Sequence, residues 1–204
     1  MKRLFLTIIA IAAFAAGGFA QTAQEIVERM DQEINKGETL GTALTMTMKM
    51  PIIGEISTRI WTLGDKSKAE MEGKGEKSTV WYDKDVSWTY TPKDNEIVIK
   101  KVESEENQEK DLASSVTEGY KVSITGETAD TWILKCKKLR SNDDKGDPKR
   151  MDLIVSKKTY LPISLNAKAS IIKITLSDYV IGVSPEEVAF DPSAFPGVKI
   201  TDQR

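Results

Sequence analysis

"TALTMTMKM", residues 42–50, decides how the chain is read. In an extended strand, successive side chains point to opposite faces. Leu44, Met46, Met48 and Met50 therefore share one side, and Ala43, Thr45, Thr47 and Lys49 share the other. That alternation predicts a half-buried β-strand. Its apolar side is unusual in carrying three methionines where a tightly specified core would use Val, Ile or Leu. Methionine is flexible and polarisable and adapts to a partner of variable shape. Two readings follow for this face: it lines a binding cavity, or it packs beneath a neighbouring helix.

The alternation continues on the C-terminal side. Strands are expected at 55–63, 67–72, 78–83, 86–92 and 95–102, joined by short turns at "PIIGE", "GDKS" and "DKD". "YKVSITGET", "TWILKCKKLR", "RMDLIVSKKTY", "LPISLNAKAS" and "IIKITLSDYVIG" extend the series to roughly ten strands. On the N-terminal side, "TAQEIVERMDQEINKG" places Ile26, Val27, Met30 and Ile34 at helical spacing. Thr22 is the expected N-cap, and Gly37 the stop. Residues 103–119, "ESEENQEKDLASSVTEG", are polar and acidic and break the strand pattern, as a short helix or a crossing loop.

The expected fold is mainly β: a single curled antiparallel sheet, an incomplete β-barrel, with an N-terminal helix and a short lid over its concave apolar face. A sheet this wide must curl, because open twisted sheets seldom stay flat beyond about ten strands.

The first twenty residues read as a secretory signal peptide. Lys2 and Arg3 precede an apolar run too short to span a bilayer, and "GFA" puts small residues before a cleavage point after Ala20. No cysteine lies near that point, so no lipid anchor is expected there. Residues 21–204 are expected to form one exported, periplasmic domain.

The 204 residues carry 29 Lys and Arg against 31 Asp and Glu. Lys2 and Arg3 fall in the leader, so the remainder holds four more acids than bases. An acidic balance does not suit a nucleic-acid partner. Cys136 is the only cysteine, which excludes an internal disulfide, and its neighbours "WILKC" predict a buried thiol. The chain has no histidine, so it lacks the usual general base and the commonest zinc ligand. The carboxylates occur in surface runs, and "NDDKGD" lacks the ligand spacing of an EF-hand loop. No catalytic residue, metal site or cofactor is expected.

What remains is apolar and aromatic. Trp61, Trp81, Trp88 and Trp132 lie in four different strands, and Val86, Trp88 and Tyr90 share one strand face. Each could simply fill a β core. Together with the methionine face and the helix they compose an apolar groove, and ligand cavities are lined mainly by such side chains. The candidate lining is Ile26, Met30, Leu44, Met46, Met48, Met50, Trp61, Val86, Trp88 and Tyr90.

In order along the chain, these features resemble the outer-membrane lipoprotein carrier proteins, the LolA-like periplasmic lipoprotein chaperones. The marks are the leader followed directly by a short amphipathic helix, then "RIWTLGDKSKAEM" as a Trp-containing strand, turn and strand. "STVWYDKDVSWTYTPKDNEIVI" and the tail "VAFDPSAFPGVKITDQR" complete the likeness. The resemblance implies an apolar cavity that shelters acyl chains of lipoproteins or lipids in a monomeric carrier. It also implies an inner-membrane releasing transporter and an outer-membrane acceptor as partners. Where the family has a lid-holding arginine after the Trp-containing strand, this chain has Thr62, Leu63 and Gly64, with Lys66 and Lys68 the nearest cations. The rival reading is a periplasmic protein-interaction or envelope-sensing module of the same fold that carries no lipid.

Overall fold

The computed structural model describes residues 21–102 and 119–204. The expected signal peptide lies outside the described residues, as does the expected lid apart from Gly119.

Helix α1, Ala23–Asn35, begins where its capping signal predicts. The Thr22 side chain accepts from the Glu25 amide at 3.2 Å, and the Glu25 carboxylate accepts from the Thr22 amide at 2.8 Å. This reciprocal box satisfies two amides that the helix itself cannot pair. Gly37 does not stop the helical region. It opens a second short helix, α2, Gly37–Leu40, and the chain turns into the sheet at Gly41. Gly41 has φ 77°, and a Cβ there would lie 2.7 Å from the Thr62 carbonyl oxygen, so both conformation and space require glycine.

Twelve strands follow: β1 Thr42–Met50, β2 Gly54–Leu63, β3 Lys66–Gly73, β4 Glu76–Asp83, β5 Val86–Thr91 and β6 Glu96–Lys101, then β7 Tyr120–Glu127, β8 Thr131–Lys138, β9 Arg150–Ser156, β10 Pro162–Ala169, β11 Ile172–Ile181 and β12 Lys199–Asp202. All belong to one curled sheet that is not closed into a barrel, in the order β12-β6-β5-β4-β3-β2-β1-β11-β10-β9-β8-β7.

Two corrections to the expected single antiparallel series of strands follow from this order. The chain makes two meanders, β1–β6 and β7–β11, which join through the long-range antiparallel pair β1–β11. The last strand, β12, is parallel to β6. After β11 come α3, Pro185–Val188, and a 3-10 turn at Pro192–Ala194. This tail starts beside the beginning of β1 and crosses to the Glu96 end of β6, from which only a parallel run follows the strand.

Directly paired residues share a face, so the registers assign each side chain. One face, here the helix face, carries Leu44, Met46 and Met48 with Ile60, Thr58 and Ile56 of β2. It continues through Leu176 and Ile174 of β11 and Leu165 and Ala167 of β10 to Leu153, Met151, Leu134 and Cys136. Helix α1 buries Ile26, Val27, Met30 and Ile34 against the β7–β9 end of this face. Leu134, Leu153, Val155 and Cys136 are fully buried beneath it. The opposite, tail face carries Trp61, Trp81, Trp88 and Tyr90.

Candidate functional site

On the helix face apolar rows run from β8 across to β1 and on to β2, where Thr58 interrupts one of them, and their burial changes along the way. Under α1, Leu134 and Leu153 are at most 1% exposed. Farther along the same rows, Leu165, Leu176, Ile174, Met46, Met48, Leu44, Ile60 and Ile56 are only half-buried. Thr58 is the buried polar residue among them. The result is a strip of methyl, methylene and thioether groups beside the helix, continuous with the core. Met50 closes it at the end of β1, paired with Gly54.

Beside the strip a cavity of about 570 Å³ opens between α1 and the β9–β10 turn. Leu161 and Ile181 form its apolar wall; Arg29, Lys36, Lys158 and Glu33 form a charged rim. Tyr160 stands between them, half-buried, in a left-handed conformation with φ 57°. Its hydroxyl accepts from Arg29 Nη1 at 3.2 Å and from Gln21 Nε2 at 3.0 Å, and its ring lies 5.2 Å from that of Trp132. A bulky side chain at positive φ is uncommon. Here the turn anchors it: the Tyr160 amide donates to the Ser156 carbonyl oxygen at 2.9 Å.

Cys136 lies beneath the helix. Burial chiefly, and secondarily the Asp152 carboxylate, push its thiol up to about 11 from an ordinary value near 9.0. A thiol held neutral in apolar surroundings is unreactive. Its role is packing.

The expected lining is divided by the registers. Leu44, Met46, Met48 and Met50 share the helix face, whereas Ile26 and Met30 of α1, 0% and 1% exposed, are sealed in the core against its β7–β9 end. Trp61, Val86, Trp88 and Tyr90 are on the other side of the sheet, so they cannot line the same groove. There the rings of Trp61, Trp88 and Tyr90 meet the tail. Phe190 stacks on Trp88 at 5.2 Å and lies edge-on to Trp81 at 5.3 Å, while Phe195 packs on Tyr90 at 4.8 Å. Trp61 packs on Ala43, Val183 and Val188, with Lys68 Nζ 4.9 Å from its ring. These rings hold down the C-terminal segment. Aromatic pairs of this kind add roughly 0.5–1.5 kcal/mol each beyond the area they bury.

Lys66 and Lys68, the cations that follow the Trp-containing strand, belong to that same face. Lys66 pairs with Asp83 at 2.9 Å and Lys68 with Glu70 at 2.6 Å, so neither reaches the helix face.

Ile56, Ile60, Leu165, Ile174 and Leu176 belong to the strip and were absent from the expected lining. The hairpin loops held the missing signal. Two-residue loops at 64–65, 74–75 and 84–85 put their flanking residues on one face, as Leu63 with Lys66, Gly73 with Glu76 and Asp83 with Val86. Counting faces from Met50 across the three-residue loop at 51–53, which pairs Met50 with Gly54, places Ile56 and Ile60 with the methionines, and counting on through the two-residue loops places Trp88 opposite them. Leu165, Ile174 and Leu176 depend on the β1–β11 pair, which no loop length encodes.

Among the described residues no group of acidic or cysteine side chains is placed to hold a metal ion, and no helix is long and apolar enough to cross a membrane.

No family model matches the chain, and no curated protein does. Solved structures do. LprF from Mycobacterium bovis is 11% identical at a TM-score of 0.55, covering 82% of this chain and 97% of its own. The Mycobacterium tuberculosis lipoprotein LppX is 10% identical at 0.51, covering 80% and 98%. A LolA superfamily protein from Nitrosomonas europaea is 13% identical at 0.35, covering 85% and 100%. The chain shares its fold with LprF and LppX. At these identities the likeness speaks for fold alone.

Proposed function

We propose that this protein is a periplasmic carrier that binds acyl chains of lipoproteins or lipids along the helix face and ferries them toward the outer membrane. The observation that carries this reading is the half-buried strip of Leu44, Met46, Met48, Ile56, Ile60, Ile174 and Leu176, continuous with the core but beyond the part that α1 buries. A finished core would bury such side chains fully. Methionines at its centre suit a ligand whose chains vary in length and branching. Each buried acyl methylene contributes about 0.8 kcal/mol, so a few turns of chain give firm yet reversible holding.

Trp61, Val86, Trp88 and Tyr90 have no part in this binding; the three rings among them fasten the tail. Handing over cargo in this way calls for a releasing partner at the inner membrane and an accepting one at the outer membrane. Native mass spectrometry of the exported protein, purified without detergent from its own periplasm, tests the proposal. The expected spectrum carries an added mass that fragments into acyl-bearing species. A spectrum of bare protein alone, with no mass gained on adding a triacylated lipopeptide, contradicts it.

A further inference from the structure

The pairing of β1 with β11 brings two hairpin tips together at one end of the sheet. Lys49 lies opposite Lys173, close to where β1 runs into the loop at 51–53 and where the turn at 170–171 leads into β11. The tips are apolar. Ile52 is 95% exposed, Ile171 64% and Ile53 40%. Scattered exposed isoleucines are ordinary, but three at the tips of neighbouring hairpins form a projecting patch of the kind that marks an interaction surface.

The strands just behind the tips carry the second feature. On the tail face, Lys49 pairs across to Lys173, and Lys173 pairs across to Lys168, so three cations stand abreast on β1, β11 and β10. Neighbouring strands are about 4.8 Å apart, which puts these lysines within roughly 10 Å. Like charges directly opposite on a sheet are destabilising. Glu55 relieves only the end of the row, at 3.9 Å from Lys49. Lys168 and Lys173 have no carboxylate partner among the described residues. A row of this kind is better accommodated against a plane of anions than in water alone.

We infer that this end of the sheet docks on the surface of an anionic phospholipid bilayer. Ile52, Ile53 and Ile171 enter the headgroup boundary, and Lys49, Lys168 and Lys173 meet the phosphates behind them. Apolar insertion combined with a basic flank is the pattern by which proteins lie on membranes without spanning them, and each lysine adds to the attraction for acidic lipid. This goes beyond acyl binding and does not depend on it. It assigns the end of β1 and β11 that meets the membrane, and the methionine strip runs along those same two strands.

Flotation with vesicles tests the inference on the full mature chain. One set is pure phosphatidylcholine; the other contains an equal part of phosphatidylglycerol. The protein is expected to float with the acidic vesicles at low salt and far less with the neutral ones. I52S together with I171S should weaken that binding by about tenfold or more. K49Q, K168Q and K173Q together should do likewise and remove its salt dependence. All these positions are exposed, so circular dichroism should remain that of the parent. Met48→Asp, which abolishes acyl-peptide binding under the carrier proposal, should leave flotation unchanged, so the two proposals fail separately. Absence of flotation with acidic vesicles, or flotation that neither set of changes weakens, overturns the inference. Ile52-dependent dimers in sedimentation without vesicle binding would assign the surface to a second copy and overturn it as well.

Discussion

Met48 and Thr47 are chain neighbours that meet opposite chemistry. Met48 faces Ile56 and Ile174 across the strands, whereas Thr47 faces Ser57 and Thr175. A carboxylate at position 48 would lie on an apolar strip. Because that site is half-buried and the carboxylate can keep part of its hydration, the cost is expected to be about 1–3 kcal/mol, the range for burying an unpaired polar group. A carboxylate at 47 joins hydroxyl groups and should cost well under 1 kcal/mol, as surface changes usually do. Urea unfolding of Met48→Asp and Thr47→Asp checks this, and lipopeptide binding should fall in the first variant only. Equal losses in both would contradict the assignment of faces. At this scale the alternation in "TALTMTMKM" was fully legible, because a period of two is a local property of the strand. The burial of Cys136 was also legible, since "WILKC" alternates Trp132, Leu134 and Cys136 onto the face that α1 covers.

Among the elements, the C-terminal strap is the one whose role the sequence concealed. Its phenylalanines could be read as core residues, but nothing local says that they cross the sheet to cover tryptophans more than a hundred residues earlier. The strap ends in β12, a four-residue parallel strand at an open edge. Glu96 clasps it: its carboxylate accepts from Lys199 Nζ at 2.7 Å and from the Thr201 hydroxyl at 2.5 Å. The Lys199 hydrogen bond first, and then that of Thr201, hold the Glu96 carboxyl below its ordinary value of 4.5. A depressed carboxyl contributes stability that is present above the unfolded-state value and is lost as pH falls through the folded one. The clasp should therefore loosen in acid, below about pH 4.5. Amide exchange at Ile200 and Thr201, corrected for its intrinsic pH dependence, should show less protection near pH 3 than near pH 6. Glu96→Gln should flatten that difference. Unchanged protection in the parent protein across this interval would contradict the clasp.

For the whole molecule, the decisive contact is β1 with β11, two strands separated by most of the chain. It turns two local meanders into one twelve-stranded sheet and sets the methionine strip beside Ile174 and Leu176. Strand existence was legible from local alternation, and the sheet's failure to stay flat from its width. The pairing of distant edges was not, because no short loop joins β1 to β11 and local alternation does not say which edges meet. The consequence is a molecule with two separate apolar systems, aromatic and closed on the tail face, methionine-rich and half-open on the helix face. Methyl NMR with labelled methionine, together with tryptophan indole signals, distinguishes them in one titration. With a triacylated lipopeptide, the methyl resonances of Met46 and Met48 should shift while the indoles of Trp81 and Trp88 stay in place; the same peptide without acyl chains should move neither. Shifts of the Trp81 and Trp88 indoles with silent Met46 and Met48, or equal shifts with the deacylated peptide, would contradict acyl binding on the helix face.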